Sequence, residues 1–402
     1  MVNRMRVVLI LFLMLGSVPA GCKKPARTQP AASAAVKELS LPPAATDAID
    51  AEHLKKAQKL INGGIAFLLA GRDADGGWSF APGNVQKPAA TALALKVIVQ
   101  HPDFDSKSPV IDKGFKVLLG YRQNNGGVYD PKQGYRTYTT CTAVMALAVA
   151  KDPRFNSAIR TAEKYLRGVQ IKPGDESPDG RKIKPGDPEV GGVGYGKSGV
   201  PNLSVLSFWT DAMHDAGVAA DDPAMKSALE FLRMLQNDSE ENPRHIEGPD
   251  DGGFRYDLKT SKAGPGPGGK GLRSYGSMTY AAFKSLLYAG VGKDDSRVKS
   301  AFGWIRKHWR LDSNPNMPLK QSQEGLYYYY HVFAKALRAY GEPEITDTKG
   351  KKHNWRHELI DALGERVAPD GSWVNQADRW QEGSKVLVTC YATLALQESL
   401  QK

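Results

Sequence analysis

Cysteine is nearly absent. Three occur in 402 residues, Cys22, Cys141 and Cys390, too few for a disulfide-built scaffold. Cys141 and Cys390 each lie inside an apolar helical stretch, where a thiol behaves as a small buried hydrophobe. The apolar run at 7–15 falls short of the roughly 20 residues that a spanning helix needs. No dense block of Lys or Arg occurs, although the net charge is +11. Charge spread in this way argues against a nucleic-acid partner and fits a general attraction to anionic envelope surfaces. Alternating strand patterns are scarce.

What is present at the start of the chain points to a compartment. Arg4 and Arg6 precede the apolar run, small residues follow it, and Ala20-Gly21-Cys22 ends it. This order predicts an export signal over residues 1–21 rather than an anchor helix. Its end resembles the lipobox of bacterial lipoproteins, with Pro19 where that motif usually has Leu. The resemblance implies lipidation of Cys22 and tethering to a membrane; the alternative is a plain secretory signal cut nearby. Residues 22–52, rich in Ala, Pro, Lys and Thr and without apolar period, predict a semi-extended tether. Residues 53–402 have folded-domain composition and exceed the usual size of one core, so two domains or a repeat is expected.

A repeat is there. Asp75-Gly-Gly-Trp78, Asn125-Gly-Gly-Val128, Val190-Gly-Gly-Val193, Asp251-Gly-Gly-Phe254, the weaker Glu324-Gly-Leu-Tyr327, and Asp370-Gly-Ser-Trp373 recur at steps of 50, 65, 61, 73 and 46 residues. Each step has room for two helices and two loops. Amphipathic stretches precede the turns: Val298, Ala301, Phe302 and Ile305 fall at i, i+3, i+4 and i+7, and Leu229, Leu232 and Leu235 fall on one face. Stretches apolar nearly all round follow them, as at 140–150, 278–289 and 388–396. Half-exposed helices alternating with buried ones predict an outer and an inner layer. Gly217, Gly290 and Gly341 each follow a helical run, where a left-handed cap is expected. Six outer–inner pairs predict an all-α fold, a closed α/α toroid. In the turns Gly permits the tight path, Asp or Asn caps, and the aromatic packs between hairpins.

The segment from Phe67 through Arg72 to Asp75-Gly-Gly-Trp78 resembles the QW repeat of squalene–hopene cyclases, with Arg72 where Gln is usual, and Asp370-Gly-Ser-Trp373 is close to it. Asn202-Leu-Ser followed by Thr210 looks like the start of an inner helix in these proteins. Three further segments resemble exported bacterial proteins with prenyltransferase and squalene-oxidase repeats: Tyr275-Gly-Ser-Met-Thr-Tyr280, Leu326-Tyr-Tyr-Tyr-Tyr-His331, and Asp378-Arg-Trp380-x-Glu382. The resemblance spans about 53–400 and implies a terpenoid-cyclase or prenyltransferase-like toroid. It does not imply the reaction. The Asp-x-Asp-Asp tetrad by which such cyclases protonate an alkene has no counterpart, since Asp250-Asp251 and Asp294-Asp295 lack the spaced third carboxylate. The Asp-x-Cys pair of zinc-dependent farnesyltransferases and the Asp-Asp-x-x-Asp magnesium motif are absent too. No metal and no cofactor is therefore expected.

The starts of the inner helices supply the candidate site. Lys87, Arg136 with Tyr138, Arg273 with Tyr275 and Tyr280, Tyr328 with His331, and Lys385 with Tyr391 stand there. Basic residues at helix N-termini suit an anionic head group, and tyrosines an apolar or cationic chain. With Trp380 and Glu382 from the loop before the last helix, Arg136, Tyr138, Arg273, Tyr275, Tyr328 and Tyr391 are the ligand-binding candidates. His331, Tyr280 and Asp251 are the candidates for proton transfer. Packing and helix capping account for the same residues. The tyrosine run 327–330 covers all faces of a helix, so at least one ring points inward. Two loops, 171–189 and 259–270, are Pro-, Gly- and charge-rich insertions that could serve as lids. Three functions stay open: a protein holding an isoprenoid or lipid-like ligand in a central cavity, with or without catalysis; a non-catalytic envelope scaffold; and a glycan-active toroid, which for hydrolysis needs paired carboxylates.

Overall fold

A computed structural model describes residues 39–402 apart from 84, 197–198 and 245–247. The predicted export signal, Cys22 and the first part of the predicted tether lie outside the described residues. Residues 39–402 form one unit, and among them twelve α-helices alternate between two layers. The outer helices are α1 (Ala51–Ala70), α3 (Pro109–Leu119), α5 (Asn156–Val169), α7 (Pro223–Leu235), α9 (Ser296–Lys307) and α11 (Trp355–Gly364). The inner helices are α2 (Lys87–Val99), α4 (Arg136–Val149), α6 (Leu203–Asp215), α8 (Gly276–Tyr288), α10 (Leu326–Tyr340) and α12 (Lys385–Ser399). Each inner helix packs on the next, and α12 packs on α2, which closes the ring. The fold is an α/α toroid.

Local chemistry explains the two layers. Four outer helices start from Asp50, Asp222, Asp295 and Asn354, whose side chains accept from backbone N–H groups of the first turn. They bury one stripe, Val298, Ala301, Trp304 and Ile305 in α9 and Leu232 and Leu235 in α7. The inner helices are buried on nearly every face. Gly217, Gly290 and Gly341 do take the left-handed cap conformation, with φ of 81°, 78° and 78°. Cys141 and Cys390 are both buried thiols. One short hairpin, β1 (Glu344–Thr346) with β2 (Lys352–Asn354), precedes α11.

The repeated turn does more than turn the chain. Its acidic or amide residue accepts from the N–H two residues on, at 3.0 Å in Asp75, Asn125 and Asp251. Its first glycine is left-handed and touches the next outer helix. A Cβ on Gly126, Gly191 or Gly252 would lie 2.4, 1.8 or 2.5 Å from a backbone carbonyl oxygen of Thr161, Ser227 or Ser300. The N–H of its last residue donates to a threonine on the following inner helix: Trp78 to Thr91, Val128 to Thr140, Phe254 to Thr279, Trp373 to Thr389. The indoles of Trp78 and Trp373 donate to Leu68 and Leu363, carbonyls at the ends of the preceding outer helices. The fifth motif departs from this. Gly325 is the left-handed residue before α10 rather than the turn between layers.

Residues 39–50, at the end of the predicted tether, lie against the ring. Ala45 N–H donates to the Leu400 carbonyl at 2.7 Å, and Gln58 and Asn62 of α1 bond carbonyls of Pro42 and Ser40.

Candidate functional site

The inner helices open at their N-terminal ends onto a cavity of about 290 Å³. Aromatic residues make up half of its lining. Tyr135, Tyr138, Phe208, Tyr275, Tyr328 and Tyr391 come from the inner helices or the residues just before them. Phe80, Tyr195 and Tyr256 come from the turns, each two residues past the motif's last position. The rings support one another. Tyr138 stands edge-on to Phe208 at 4.7 Å, its hydroxyl 3.1 Å from that of Tyr391, and Tyr135 stands edge-on to Tyr195 at 4.9 Å. Burial pushes the Tyr138 and Tyr391 hydroxyls well up, so both are neutral.

The mouth is held in an unusual backbone. Six described non-glycine residues have positive φ, and four of them, Gln86, Tyr135, Trp380 and Gln381, line this one cavity. Such conformations cost roughly 1–3 kcal/mol each and persist where the surroundings enforce them. Trp380 is 42% exposed at the rim. Its indole lies over Gly325, where a Cβ would come within 2.9 Å of the ring, and the Arg379 guanidinium stacks on it at 4.6 Å.

Glu382 fastens this loop. One carboxylate oxygen accepts from Tyr328 N–H in the first turn of α10 at 2.8 Å, and the other from Asn375 at 2.6 Å. Burial pushes its carboxyl up to about 7 despite these bonds. Lys262, carried by the 259–270 loop, reaches the rim with its ammonium 4.2 Å above the Tyr256 ring.

Beneath the cavity the ring axis is ionic. Asp211 of α6 pairs with Lys284 of α8 and with Lys335 of α10, the latter at 2.8 Å. One turn further, Asp215 pairs with Lys96 of α2 at 3.1 Å. Burial brings Lys284 down to about 8, while the two lysines hold Asp211 at about 2. His331 of α10 sits between the aromatic wall and these ion pairs, stacked on Tyr391 at 5.4 Å. Burial and the nearby Lys335 push its imidazole well down, so it is neutral.

Six sequence candidates therefore converge on the cavity wall: Tyr138, Tyr275, Tyr328, Trp380, Glu382 and Tyr391. The others do not line it. Asp251 belongs to its turn, accepting from Gly253 N–H, Ser274 Oγ and Trp304 Nε1. Tyr280 packs edge-on to Tyr329 at 5.4 Å, and His331 lies behind Tyr391. The expected anion site at the helix starts does not form. Lys87 binds Asp73 and Asp75, Lys385 binds Asp370, Arg136 covers the Tyr129 ring, and Arg273 bonds the Pro265 carbonyl. The two lysines neutralise acidic turn residues, and the two arginines cover a ring and a carbonyl. Of the tyrosine run, Tyr329 and Tyr330 donate to carbonyls of Arg310 and Leu311, and Tyr328 faces the cavity. The loop at 171–189 closes on itself through Arg181 with Asp187 and Glu189 and does not line this cavity.

No protein-family model matches the chain, and no curated protein sequence matches it. Among solved structures, the type II terpene cyclase MstE from Scytonema, with geranylgeranyl dihydroxybenzoate bound, superposes with a TM-score of 0.54 at 13% identity, over 88% of this chain and 99% of that one. A family 76 glycoside hydrolase from Bacteroides thetaiotaomicron gives 0.55 at 10% identity, over 86% and 79%. D-mannose isomerase gives 0.54 at 11% identity, over 88% and 99%. At such identities the likeness establishes the toroid fold.

Proposed function

We propose that this chain is a ligand-binding toroid of the squalene-cyclase-like repeat type, holding an isoprenoid or lipid-like molecule in its central cavity at the cell envelope. The observation that carries it is the aromatic wall: tyrosine and phenylalanine rings from five inner helices, or the residues just before them, and from three turns converge on one cavity. A cavity of about 290 Å³ stands at the lower end of the roughly 300–1,000 Å³ of small-molecule sites. A short prenyl chain or a single acyl segment suits that size. MstE, on the same fold, holds a geranylgeranyl ligand, which supports the ligand class by analogy of fold.

Binding without cyclisation is favoured by the acid present. Protonating an alkene calls for a strong acid, and Glu382, the carboxyl lining the cavity, is shifted to about 7, toward a weaker one. Glycoside hydrolysis calls for two carboxyls about 5–9.5 Å apart, and among the described lining residues Glu382 is alone. The export signal and lipidation at Cys22 complete the proposal: the toroid is tethered to a membrane from which an apolar ligand can partition.

Native mass spectrometry with organic extraction, on protein purified from its own envelope, tests the reading. A co-purifying prenyl or acyl compound is expected, lost in Tyr138→Ala with Tyr391→Ala. An apo mass, with no thermal shift across prenyl and lipid panels, overturns it in favour of a scaffold. Release from the membrane fraction in Cys22→Ser is expected of the tether.

A further inference from the structure

The ring closes where its first and last hairpins meet, and a second cluster of chemistry-bearing side chains stands at that seam, apart from the cavity. Asp50 comes from the lead-in to α1, His53 from its first turn, and His357 from the first turn of α11. The two imidazoles stack face to face, centroids 3.9 Å apart and planes within 3°. His53 Nδ1 is 2.8 Å from Asp50 Oδ1, and His357 Nδ1 is 3.8 Å from Asp50 Oδ2. One donor atom from each residue falls within 4.8 Å of the other two. Helix capping explains Asp50 and His53, since Asp50 accepts from His53 N–H at 2.8 Å. His357, about 300 residues away, accepts from Asp50 N–H at 3.2 Å through Nε2, and this bond brings a second imidazole beside the same carboxylate.

We propose that Asp50, His53 and His357 bind a divalent transition-metal ion of the Zn²⁺ class that fastens the ring seam. Two imidazole nitrogens and a carboxylate oxygen are a ligand set that Zn²⁺ takes with bonds of about 2.0–2.2 Å, leaving a fourth position to water. Loading the ion requires the stacked rings to turn out of their parallel planes, so that an in-plane nitrogen of each aims at one point, and the three donor atoms to close from within 4.8 Å. All three side chains are partly or fully exposed, which leaves them room to do so. The surroundings match a metal-bound histidine. With Nδ1 on the metal, His53 Nε2–H points at Asp361 Oδ2, 3.4 Å away, and Lys56 holds that carboxylate from its other oxygen at 2.6 Å. A carboxylate behind the second ring nitrogen fixes the tautomer and strengthens the ligand. His357 gives up its contact with Asp50 N–H, 3.2 Å from Nε2, in exchange for the metal. The position suits a staple. Joining residues about 300 positions apart closes a long loop, where a cross-link has much entropy to remove.

The test uses tag-free protein stripped of metal and then titrated with ZnCl₂ at pH 7.5, read by calorimetry and by thermal denaturation. One equivalent binding at micromolar concentration or tighter, with a raised melting temperature, is expected. His357→Gln and Asp50→Asn should each weaken binding at least tenfold. Asn caps a helix as well as Asp does, so Asp50→Asn should leave the metal-free melting temperature unchanged and separate ligand loss from cap loss. Absence of a saturable single site, or wild-type affinity retained in both variants, overturns the proposal.

Discussion

Glu382 is the residue at which stability and site conflict most openly. Its folded carboxyl titrates at about 7 against an ordinary 4.5. Between those values the folded chain holds a proton that the unfolded chain has released. Stability from this group is therefore greatest below about pH 4.5, falls as pH rises toward 7, and stays low above it. A shift of that size corresponds to roughly 3 kcal/mol. Glu382→Gln keeps an oxygen for Tyr328 N–H while removing the buried charge, and should raise stability by about 1–3 kcal/mol at pH 8 with little change at pH 4.5. Denaturant titrations at the two pH values check this; equal stability of the two proteins at pH 8 would show that the carboxylate is solvated in solution. Glu382 was legible as a mouth residue because it precedes an inner helix. The lysines and aspartates below it were not. Asp211, Lys284 and Lys335 each stand singly in an apolar run, and their pairing links three helices that sequence spacing does not connect.

At the scale of the element, one contact is repeated around the ring. In the second, third, fourth and sixth turns the first glycine lies against the backbone of the next outer helix, and in the first, second, fourth and sixth the last residue is held by a threonine of the following inner helix. The glycines, the acidic caps and the aromatics were visible as a motif. The threonine was not, because its distance along the chain varies from 12 to 25 residues with loop length. Partners of the basic residues at the helix starts were hidden for a related reason: sequence shows a cation before a helix, and only the fold shows that Asp73 and Asp75 already hold Lys87 and Asp370 holds Lys385, while Arg136 covers the Tyr129 ring and Arg273 bonds the Pro265 carbonyl. Two glycines of neighbouring elements separate packing from propensity. Gly252 has φ of 75°, and a Cβ there would overlap the Ser300 carbonyl; Gly303, inside α9, has open space around it. Gly252→Ala should destabilise by at least about 2 kcal/mol, whereas Gly303→Ala should stabilise by roughly 0.5–1 kcal/mol. Urea midpoints of the pair decide it, and a neutral Gly252→Ala would mean that the turn can shift away from α9.

The whole molecule adds one thing that no repeat along the chain specifies, which is closure. A row of six hairpins could stack as an open solenoid. Here the sixth turn closes the ring with the contact used at the internal junctions: Gly371 is left-handed, and a Cβ on it would lie 2.5 Å from the Gly63 carbonyl oxygen of α1. Trp373 packs beside Gly64 in the same helix. Closure brings Tyr391 of the last inner helix to within 3.1 Å of Tyr138 on the second, so the cavity wall depends on it. If every junction is equivalent, the position of the chain break is arbitrary. The hydrogen bond from Ala45 to Leu400 places the two ends of the toroid side by side. A permutant that joins residue 402 to residue 45 through a short Gly/Ser linker, and opens the chain in the exposed loop between α6 and α7, should therefore fold to the same helical content. It should keep ligand binding, because the new ends lie at the C-terminal side of α6, away from the mouth at its N-terminal side. Circular dichroism and ligand-dependent thermal shift measure both. A permutant that is helical but binds nothing would show that the junctions are not equivalent and that the cavity wall depends on the natural position of the chain break.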